Sequence, residues 1–564
     1  MLGWIESFLV KYPELTLFLV IGIGYWIGSF KLGPLKLGPV TGSLFAGIAV
    51  GQVAHVPVSG MAKSFLFLLF LFGIGYSVGP QFMQALKRDG LKPVALAAIM
   101  AVTGLLTAIA VAKLLGLDPG FAAGLLSGAL TESPAMGTAT EAINALPLPA
   151  EVRARYVAHI AVADAVCYLF GAAGMITFMT TIAPRLIGVD LVASARALEA
   201  ELGITRMAPG TQSAWRRFEM RAYAVGESAR VIGMTVAEIE AMAVPHRIVL
   251  HRIRRDGTYR DLARDDRLAA GDVVAVSGRR EVLVELIGRN NEEVEDRALL
   301  DITVAMLDVL VTSRDVAGRT IAALASAEMS RGIYLRALLR GGEEIPVAPG
   351  TEVLRGDVLR IVGDVAATDR AAKLIGPIVR PTENTDFVVL GIAIFLGGLA
   401  GVLIAIPVGG MTISLSTSVG TLLAGLVVGH LRTRHPLFGR IPDGAIALMT
   451  ALGLAAFVAM TGLHAGPIFF EAVAEAGIGL LVGGAVVTMM PLLVGLYAGF
   501  YLLKLHPQIL FGAMAGAQTM TAAMAAVQER SESNVAVLGY TPAVPIGHIL
   551  LTSWGTVIVN VMAG

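Results

Sequence analysis

Residues 127–141 combine small polar side chains, one proline and two carboxylates within an otherwise apolar part of the chain. The residues whose types could bind a ligand are Thr131, Glu132, Ser133 and Pro134. Because proline removes a backbone donor and clashes with the preceding turn, this sequence predicts a helix that is interrupted here. An interrupted helix exposes backbone amides, and amides at the start of a helix favour anionic groups. The segment is therefore a candidate binding site for an anionic ligand.

A second segment near the end of the chain repeats part of this pattern. Residues 124–131 match residues 512–519, so the partner segment is 516–521, and its candidate residues are Gln518, Thr519 and Thr521. The second segment keeps the small polar character but lacks the proline, so we expect one asymmetric site built from both segments. Each stretch alone has an alternative interpretation, because small residues also allow membrane helices to pack closely.

Several further residues are candidates for a coupling or pore-lining role. Ionisable groups in lipid are costly and are functional candidates by default, so Glu132, His159 and Asp164 are hypotheses for substrate contact or proton linkage. Glu132 could also face an aqueous vestibule, and Asp164 could be a neutral structural acid. The remaining candidates are Tyr76, Gly79, Pro80, Gly466, Pro467 and His548. We expect the two Gly-Pro pairs to mark helix ends rather than hinges, and His548 to be an interhelical donor.

The chain lacks the sequence patterns of common enzymes and cofactor sites. It contains no Gly-x-Gly-x-x-Gly, no phosphate-binding loop and no clustered Cys and His ligands, so we expect no enzymatic activity, cofactor or metal. The single cysteine, Cys167, lies in an apolar run and is expected to pack there. A formal net charge of zero gives no indication of a nucleic-acid partner.

These candidates are positioned by long apolar segments, since 55% of the 564 residues are hydrophobic and 15% are charged. Such segments predict a polytopic, helical membrane protein whose surroundings are lipid. The predicted membrane segments are 15–30, 37–62, 64–86, 93–112, 120–131 and 156–183, and then 387–431, 444–470, 477–503, 507–527 and 543–564.

The charged central region reads as a soluble α+β insert made of two similar modules. Residues 231–235 followed by Gly271-Asp272 match residues 316–320 followed by Gly356-Asp357, and each Gly-Asp pair predicts a turn before a strand. The predicted domains are a first membrane repeat at 1–184, modules at 206–290 and 297–380, and a second membrane repeat at 384–564.

The two membrane repeats are predicted to be inverted, because positive charges mark the cytoplasmic side. In one pair of matching loops, the first repeat has the basic residues Lys87, Arg88 and Lys92, and the second has Glu471 and Glu475. In the other pair the basic residues change sides, since residues 52–60 are uncharged and the second repeat has Arg432, Arg434 and Arg440. Inversion needs an odd number of crossings before the insert, so residues 119–143 are the candidate for a re-entrant or broken element. We expect about ten to twelve membrane segments in all, counting such elements.

The duplicated membrane region with Gly-Ala-Leu-Thr-x-Ser-Pro, interrupted by two modules with Gly-Asp before a strand, resembles the bacterial aspartate:alanine exchanger family. The modules, at about 226–288 and 309–376, resemble TrkA-C domains. The resemblance implies a secondary antiporter of the inner membrane that exchanges aspartate for alanine electrogenically by alternating access. It also implies a cytoplasmic insert with an unknown regulatory ligand, and a homodimer is expected by analogy. Residues 131–134 and 518–521 would form the paired substrate segments.

The cargo stays open at the level of sequence. Exchange of another dicarboxylate such as succinate, and cation transport regulated by the TrkA-C-like modules, are the alternatives. A dicarboxylate should bind a cationic partner, yet no Lys or Arg lies well inside a predicted membrane segment. Either amides at helix ends bind the substrate, or boundary residues such as Lys63 or Arg155 fold inward.

Overall fold

The computed structural model describes two compact units of the chain. The described residues are 2–32, 35–36, 38–85, 91–202, 218–243, 247–287, 291–340, 343–379, 384–408, 411–414, 416–434 and 438–564. One unit comprises Met1–Glu201, Arg340–Pro346 and Arg380–Gly564, and the other Leu202–Leu339 and Val347–Val379. Lys87 and Arg88, and the predicted domain boundaries at 206, 290 and 380, lie outside the described residues.

The first part of the membrane unit is helical apart from one short hairpin. Its helices are α1 Leu2–Lys11, α2 Pro13–Gly28, α3 Pro39–Val53, α4 Gly60–Ala85, α5 Leu91–Leu115, α6 Pro119–Ala129, α7 Pro134–Ala145, α8 Ala150–Thr177, α9 Ala183–Leu186 and α10 Leu191–Leu202. Strands β1 Lys31–Leu32 and β2 Leu35–Lys36 pair between α2 and α3.

The insert that follows α10 contains two four-stranded antiparallel sheets. Its elements are β3 Phe218–Ala224, α11 Val236–Met242, β4 Ile248–Arg255, β5 Thr258–Asp261, β6 Val273–Arg279, α12 Arg280–Val282, α13 Arg297–Leu300, β7 Val304–Leu310, α14 Ile321–Ala325, β8 Ile333–Arg340, β9 Glu343–Ile345, β10 Val358–Asp364 and α15 Val365–Ile375. The strand orders β3-β6-β4-β5 and β7-β10-β8-β9 are the same in both sheets, as expected for a tandem pair.

The predicted Gly-Asp turns are present in both modules. Gly271 and Gly356 have positive φ angles of 83° and 93°, which glycine adopts without a Cβ clash. Asp272 then accepts a hydrogen bond from the backbone of Ala269, and Asp357 accepts one from Leu354. Each carboxylate thereby closes the turn that leads into the central strand of its sheet.

The second part of the membrane unit repeats the order of elements from α2 to α8. It consists of α16 Phe387–Leu403, β11 Ala405–Val408, β12 Met411–Ser414, α17 Ser416–Arg434, α18 Asp443–Ala465, α19 Phe469–Tyr497, α20 Pro507–Ala517, α21 Thr521–Ser531 and α22 Val537–Ala563. A strand hairpin again separates the first two helices, so α16 to α22 correspond to α2 to α8.

Five helical stretches in the described residues are long and apolar enough to cross a membrane, or six if the bent pair α1 and α2 counts as one span. The five are 60–80, 91–115, 150–186, 443–502 and 537–563, and α3 and α16 are shorter apolar helices. The fold is thus a polytopic helical membrane protein with a small antiparallel α+β insert.

The helices of the two repeats pack against each other in exchanged pairs. On α3, Gly47 and then Gly51 lie against α18 at Ala459 and Leu463, so α3 and α18 run in the same direction. In the same way α4 runs along α17. Because α3 and α4 are joined only by residues 54–59, they run in opposite directions, and α3 and its counterpart α17 do so as well. This packing is the geometry of inverted repeats.

One of the two Gly-Pro predictions is wrong. Helix α4 continues through Gly79 and Pro80 to Ala85 rather than ending there. Gly79 lies directly against the backbone of α17 at Leu426, and this close packing holds the helix together although Pro80 lacks a backbone donor. At Gly466 the prediction is confirmed, because α18 ends at Ala465 and a 3₁₀ turn with Pro467 follows.

Candidate functional site

The first broken segment is a hairpin that enters and leaves on one side of the membrane unit. On α6, Gly120, Gly124 and Gly128 lie in turn against Tyr156, Ile160 and Asp164 of α8, so the two helices run in the same direction. After the break, α7 ends at Ala145, and only residues 146–149 precede α8. The chain therefore returns to the side on which α6 and α8 begin. The prediction of a broken or re-entrant element at 119–143 is confirmed.

The second broken segment has the same construction. Gly512 of α20 lies against Ala536, just before α22, and Gly516 lies against Tyr540 of α22, so both helices again run in the same direction. Helix α21 ends at Ser531, and residues 532–536 lead into α22. We call α6 with α7 the first hairpin and α20 with α21 the second hairpin. Since the repeats are inverted, the two hairpins enter from opposite sides.

Matching threonines form the break in both hairpins. Thr131 has a φ angle of 56° and Thr519 one of 54°, which is the left-handed region that a β-branched residue rarely adopts. Such a conformation costs on the order of 1–3 kcal/mol and persists only where the surroundings impose it. Here the last carbonyls of α6 and α20 lie against Gly171 and Gly547, where an added Cβ would be 2.6 Å from the oxygens of Gly128 and Ala517.

The tips of the two hairpins meet at Glu132. Thr519 Oγ1 donates a hydrogen bond to Glu132 Oε2 at 2.6 Å. Glu132 Oε1 accepts from Thr552 Oγ1 at 3.1 Å and lies 3.3 Å from His548 Nδ1. The carboxylate is 1% exposed, and His548 is its ionisable partner among the described residues. A buried carboxylate held by two hydroxyls and one imidazole is a group that can exchange these partners for a proton or a cationic ligand.

The hairpin tips also contain buried polar atoms without a hydrogen-bond partner among the described residues. These atoms are Thr131 Oγ1 and both Gln518 Oε1 and Nε2, and Gln518 is 2% exposed. An unpaired buried polar group costs about 1–3 kcal/mol, so such groups call for a ligand or water. Ser133 is buried beside Pro134 at the start of α7, whereas Thr521 is exposed at the start of α21.

His159 and Asp164 hold the first hairpin against α8 and do not contact Glu132. Ser127 Oγ donates to Asp164 Oδ1 at 2.6 Å, and both side chains are buried. His159 Nδ1 lies 2.6 Å from Asp118 Oδ2, and Asp118 also caps the start of α6. These bonds fix the position of α6, so the two residues position the site and lie outside it.

Five further candidates belong to the exchanged helix pairs rather than to the hairpins, namely Tyr76, Gly79, Pro80, Gly466 and Pro467. The Tyr76 hydroxyl donates to the carbonyl of Gly439 at 2.9 Å and accepts from Arg432 Nη1 at 2.9 Å. Gly466 packs against Gly51, and its carbonyl accepts a hydrogen bond from Gln52. These contacts join α4 to α17 and α3 to α18.

A cavity of about 630 Å³ lies beside the first hairpin, between α4, α7, α8, α17 and α18. Lys63, Glu141, Asn144 and Arg153 line it. Lys63 and Arg155 were the boundary residues named in one of the two alternatives for binding an anionic substrate. Lys63 lines the cavity, whereas Arg155 is exposed and lies over the Tyr156 ring. The sequence analysis did not single out Arg153 or Glu141 as lining residues. Their helical spacing could have indicated them, because residues 137, 141 and 144 share one face of α7, and residues 150, 153 and 157 share one face of α8.

Comparison with known proteins decides the family. The family model of the aspartate:alanine exchangers, described as a predicted permease membrane region, matches residues 16–184 and 389–560. The chain belongs to this family. A TrkA-C domain model matches residues 220–288 and 306–376, so the two modules of the insert are TrkA-C domains. The resemblance inferred from sequence is confirmed, and the exchanger-family chain is a membrane transporter.

Relatives of this exchanger-family chain are similar over nearly their whole length. An uncharacterized transporter of Bradyrhizobium diazoefficiens is 58% identical over 92% of this chain and 100% of its own length. Uncharacterized transporters of Shewanella oneidensis and Zymomonas mobilis are 37% and 33% identical, with 100% and 99% of this chain covered and 100% and 99% of their own. No solved structure matches the chain.

Proposed function

We propose that the chain exchanges aspartate for alanine by alternating access at the tips of the two hairpins. The observation that carries this proposal is the meeting of Glu132 with Thr519, next to the unpaired buried atoms of Thr131 and Gln518. The exchange is electrogenic, because aspartate carries a net charge of minus one and alanine is neutral. Each turnover therefore moves one negative charge across the membrane.

The chemistry of the tips suits an amino acid better than a simple dicarboxylate. Aspartate and alanine share an α-ammonium group, and the Glu132 carboxylate is a partner for that group. Backbone amides at the start of α21, with Thr131 and Gln518, are partners for the α-carboxylate. Succinate has no ammonium group, so its binding would require Glu132 to be protonated. Succinate exchange is for this reason the less favoured anionic alternative.

The alternating movement follows from the inverted geometry. Each hairpin enters from its own side, and the contact between Glu132 and Thr519 closes the path between them. A substrate between the tips would replace that contact, and withdrawal of either hairpin would release the substrate to one side.

The sidedness follows from the direction of the helices. Helices α4, α8 and α17 end on one side, where Lys92, Arg432 and Arg440 also lie in the sequence. By the positive-inside rule, that side is the cytoplasm of a bacterial inner membrane. The insert after α8 is then cytoplasmic, with domains at 1–184, 206–290, 297–380 and 384–564, and a small regulatory ligand of its TrkA-C domains fits this placement.

The direct test is uptake of labelled aspartate into proteoliposomes that contain purified full-length protein. Internal alanine should stimulate uptake, and an inside-positive membrane potential should increase it because net negative charge enters. The control protein carries Thr103→Ala in α5, where the threonine hydroxyl bonds the carbonyl of Ile99 in its own helix. It should take up aspartate in the same way as the unsubstituted protein. Aspartate uptake that internal alanine does not stimulate would contradict aspartate:alanine exchange, provided that the same vesicles exchange another substrate and so contain active protein.

A second candidate function, cation transport regulated by the TrkA-C domains, is favoured by one observation. Glu132 is a buried carboxylate whose described partners are two hydroxyls and a histidine, an arrangement that suits a coupled cation. This function predicts flux of potassium or sodium ions without any organic substrate. A flux measurement in the same proteoliposomes separates the two candidates.

A further inference from the structure

The cavity beside the first hairpin presents two cations to its interior. Lys63 at the start of α4 and Arg153 near the start of α8 both line it. Lys63 Nζ lies 5.0 Å from the centre of the Phe457 ring, and no carboxylate pairs with it among the described residues. Within the described part of the chain, Arg153 donates one hydrogen bond, from Nη1 to the carbonyl of Asn144 at 2.7 Å, which leaves other guanidinium donors available there.

The carboxylate in the same cavity is already bound. Glu141 on α7 accepts hydrogen bonds from the backbone and hydroxyl of Thr417 at 2.8 and 2.5 Å, and from the backbone of Ser418 at 3.3 Å. These groups start α17, so Glu141 caps that helix and its charge is balanced by backbone donors and the helix dipole. The cavity interior is consequently dominated by positive charge.

The cavity leads toward the tip of the first hairpin. Gly137, Glu141 and Asn144 line it from one face of α7, and Ser133 at the break is one helical turn before Gly137 on that face. Between them, the Phe67 ring packs directly on Gly137 and stacks on Phe457 with ring centres 4.4 Å apart. An aromatic pair therefore separates the charged cavity from the start of α7.

We propose that this cavity is the entry site for the anionic substrate, in which Lys63 and Arg153 bind a carboxylate before it passes Phe67 to the hairpin tips. The proposal rests on the proposed exchange of an anionic substrate and supplies the cationic partner that the membrane segments otherwise lack. At about 630 Å³ the cavity also has room for water around a small dicarboxylate.

The charge of the cavity can be tested without a transported substrate. In a Cys167→Ala background, which removes the single native cysteine, Asn144→Cys places a thiol in the lining. Full-length protein is treated with an anionic reagent, methanethiosulfonate ethylsulfonate, or a cationic one, methanethiosulfonate ethyltrimethylammonium. Lys113→Cys, exposed at the end of α5, is the control position. We expect a preference for the anionic reagent at residue 144 that falls at least about tenfold when Lys63→Gln and Arg153→Gln are added.

Transport kinetics provide the second arm. Lys63→Gln or Arg153→Gln should raise the KM for aspartate at least about tenfold with little change in Vmax, the effect of losing one charge-assisted bond. Arg155→Gln, two positions along the same helix but outside the lining, should leave KM unchanged, and Arg153→Lys should restore part of the affinity. The entry site would be overturned if the anionic and cationic reagents reacted at equal rates at residue 144, as at residue 113. An unchanged KM for aspartate in properly folded variants would also overturn it. If residue 144 keeps its preference for the anionic reagent but the protein transports neither aspartate nor succinate, the proposed exchange is refuted and the anion-binding cavity is retained.

Discussion

Replacement of Glu132 by glutamine changes one charge at the point where the hairpins meet and retains the shape of the side chain. In the proposed complex Glu132 binds the substrate ammonium, and a hydrogen bond with a charged group contributes about 1.5–3 kcal/mol. Its loss corresponds to an increase of roughly 10- to 150-fold in KM for aspartate and alanine alike. The three groups that contact Glu132 can all bond an amide, so the empty site should keep its geometry.

The assay is counterflow of labelled alanine and of labelled aspartate in proteoliposomes, with the midpoint of thermal unfolding measured on the same preparations. Because burial of the neutral glutamine side chain requires no desolvation of a charge, the unfolding temperature of the Glu132→Gln protein should stay the same or rise. A structural carboxylate would behave in the opposite way, with reduced thermal stability and an unchanged KM. An increase in KM below about twofold in stably folded Glu132→Gln protein would show that Glu132 does not bind the substrate ammonium, given a scale of about 1.4 kcal/mol per tenfold. Thr103→Ala is the control.

Three further predictions address the support of the site and the insert. Gly547→Ala should abolish exchange, because the new Cβ would lie 2.6 Å from the carbonyl of Ala517, and binding and flux assays check this. Asp164→Ala should lower stability by about 1 kcal/mol, because the Ser127 hydroxyl exchanges its 2.6 Å acceptor for the carbonyl of Gly124 at 3.2 Å, while Asp164→Asn retains an acceptor and should lose less; thermal unfolding distinguishes them. Burial lowers the pKa of His251 in the insert, so its unfolded form takes up a proton first as pH falls. The stability of the insert should therefore decrease below the ordinary histidine pKa of about 6.5. Hydrogen exchange of insert peptides in the full-length protein, with His251→Gln as the variant that loses the pH slope, measures this; an equal slope in both proteins would contradict it.

Sequence was sufficient for features that depend on local chemistry and on repetition. The Gly-Asp turns follow from the conformational freedom of glycine, and the break before Pro134 follows from the missing backbone donor of proline. The duplicated segments were visible because the same residues recur in the same order. Each of these features lies where it was predicted. The inverted arrangement followed from charges in matching loops and reappears in the exchanged helix pairs. The expected homodimer remains a prediction.

The remaining features depend on contacts between distant parts of the chain. Glu141 becomes a cap only because residues 416–418 start a helix beside it, and no local pattern links them. Arg153 lies two positions before Arg155, and only the rotation of α8 decides which of them lines the cavity. Pro80 was misread because its own turn favours a helix end, whereas the packing of Gly79 on α17 maintains the helix.

Substrate is proposed to bind between the two hairpin tips. A cryo-electron microscopy structure of the full-length protein in saturating aspartate tests it most directly. We expect density for the amino acid within hydrogen-bonding distance of Glu132 and Gln518, with the bond between Glu132 and Thr519 broken. Aspartate bound elsewhere, with that bond intact, would exclude the hairpin tips as the binding site.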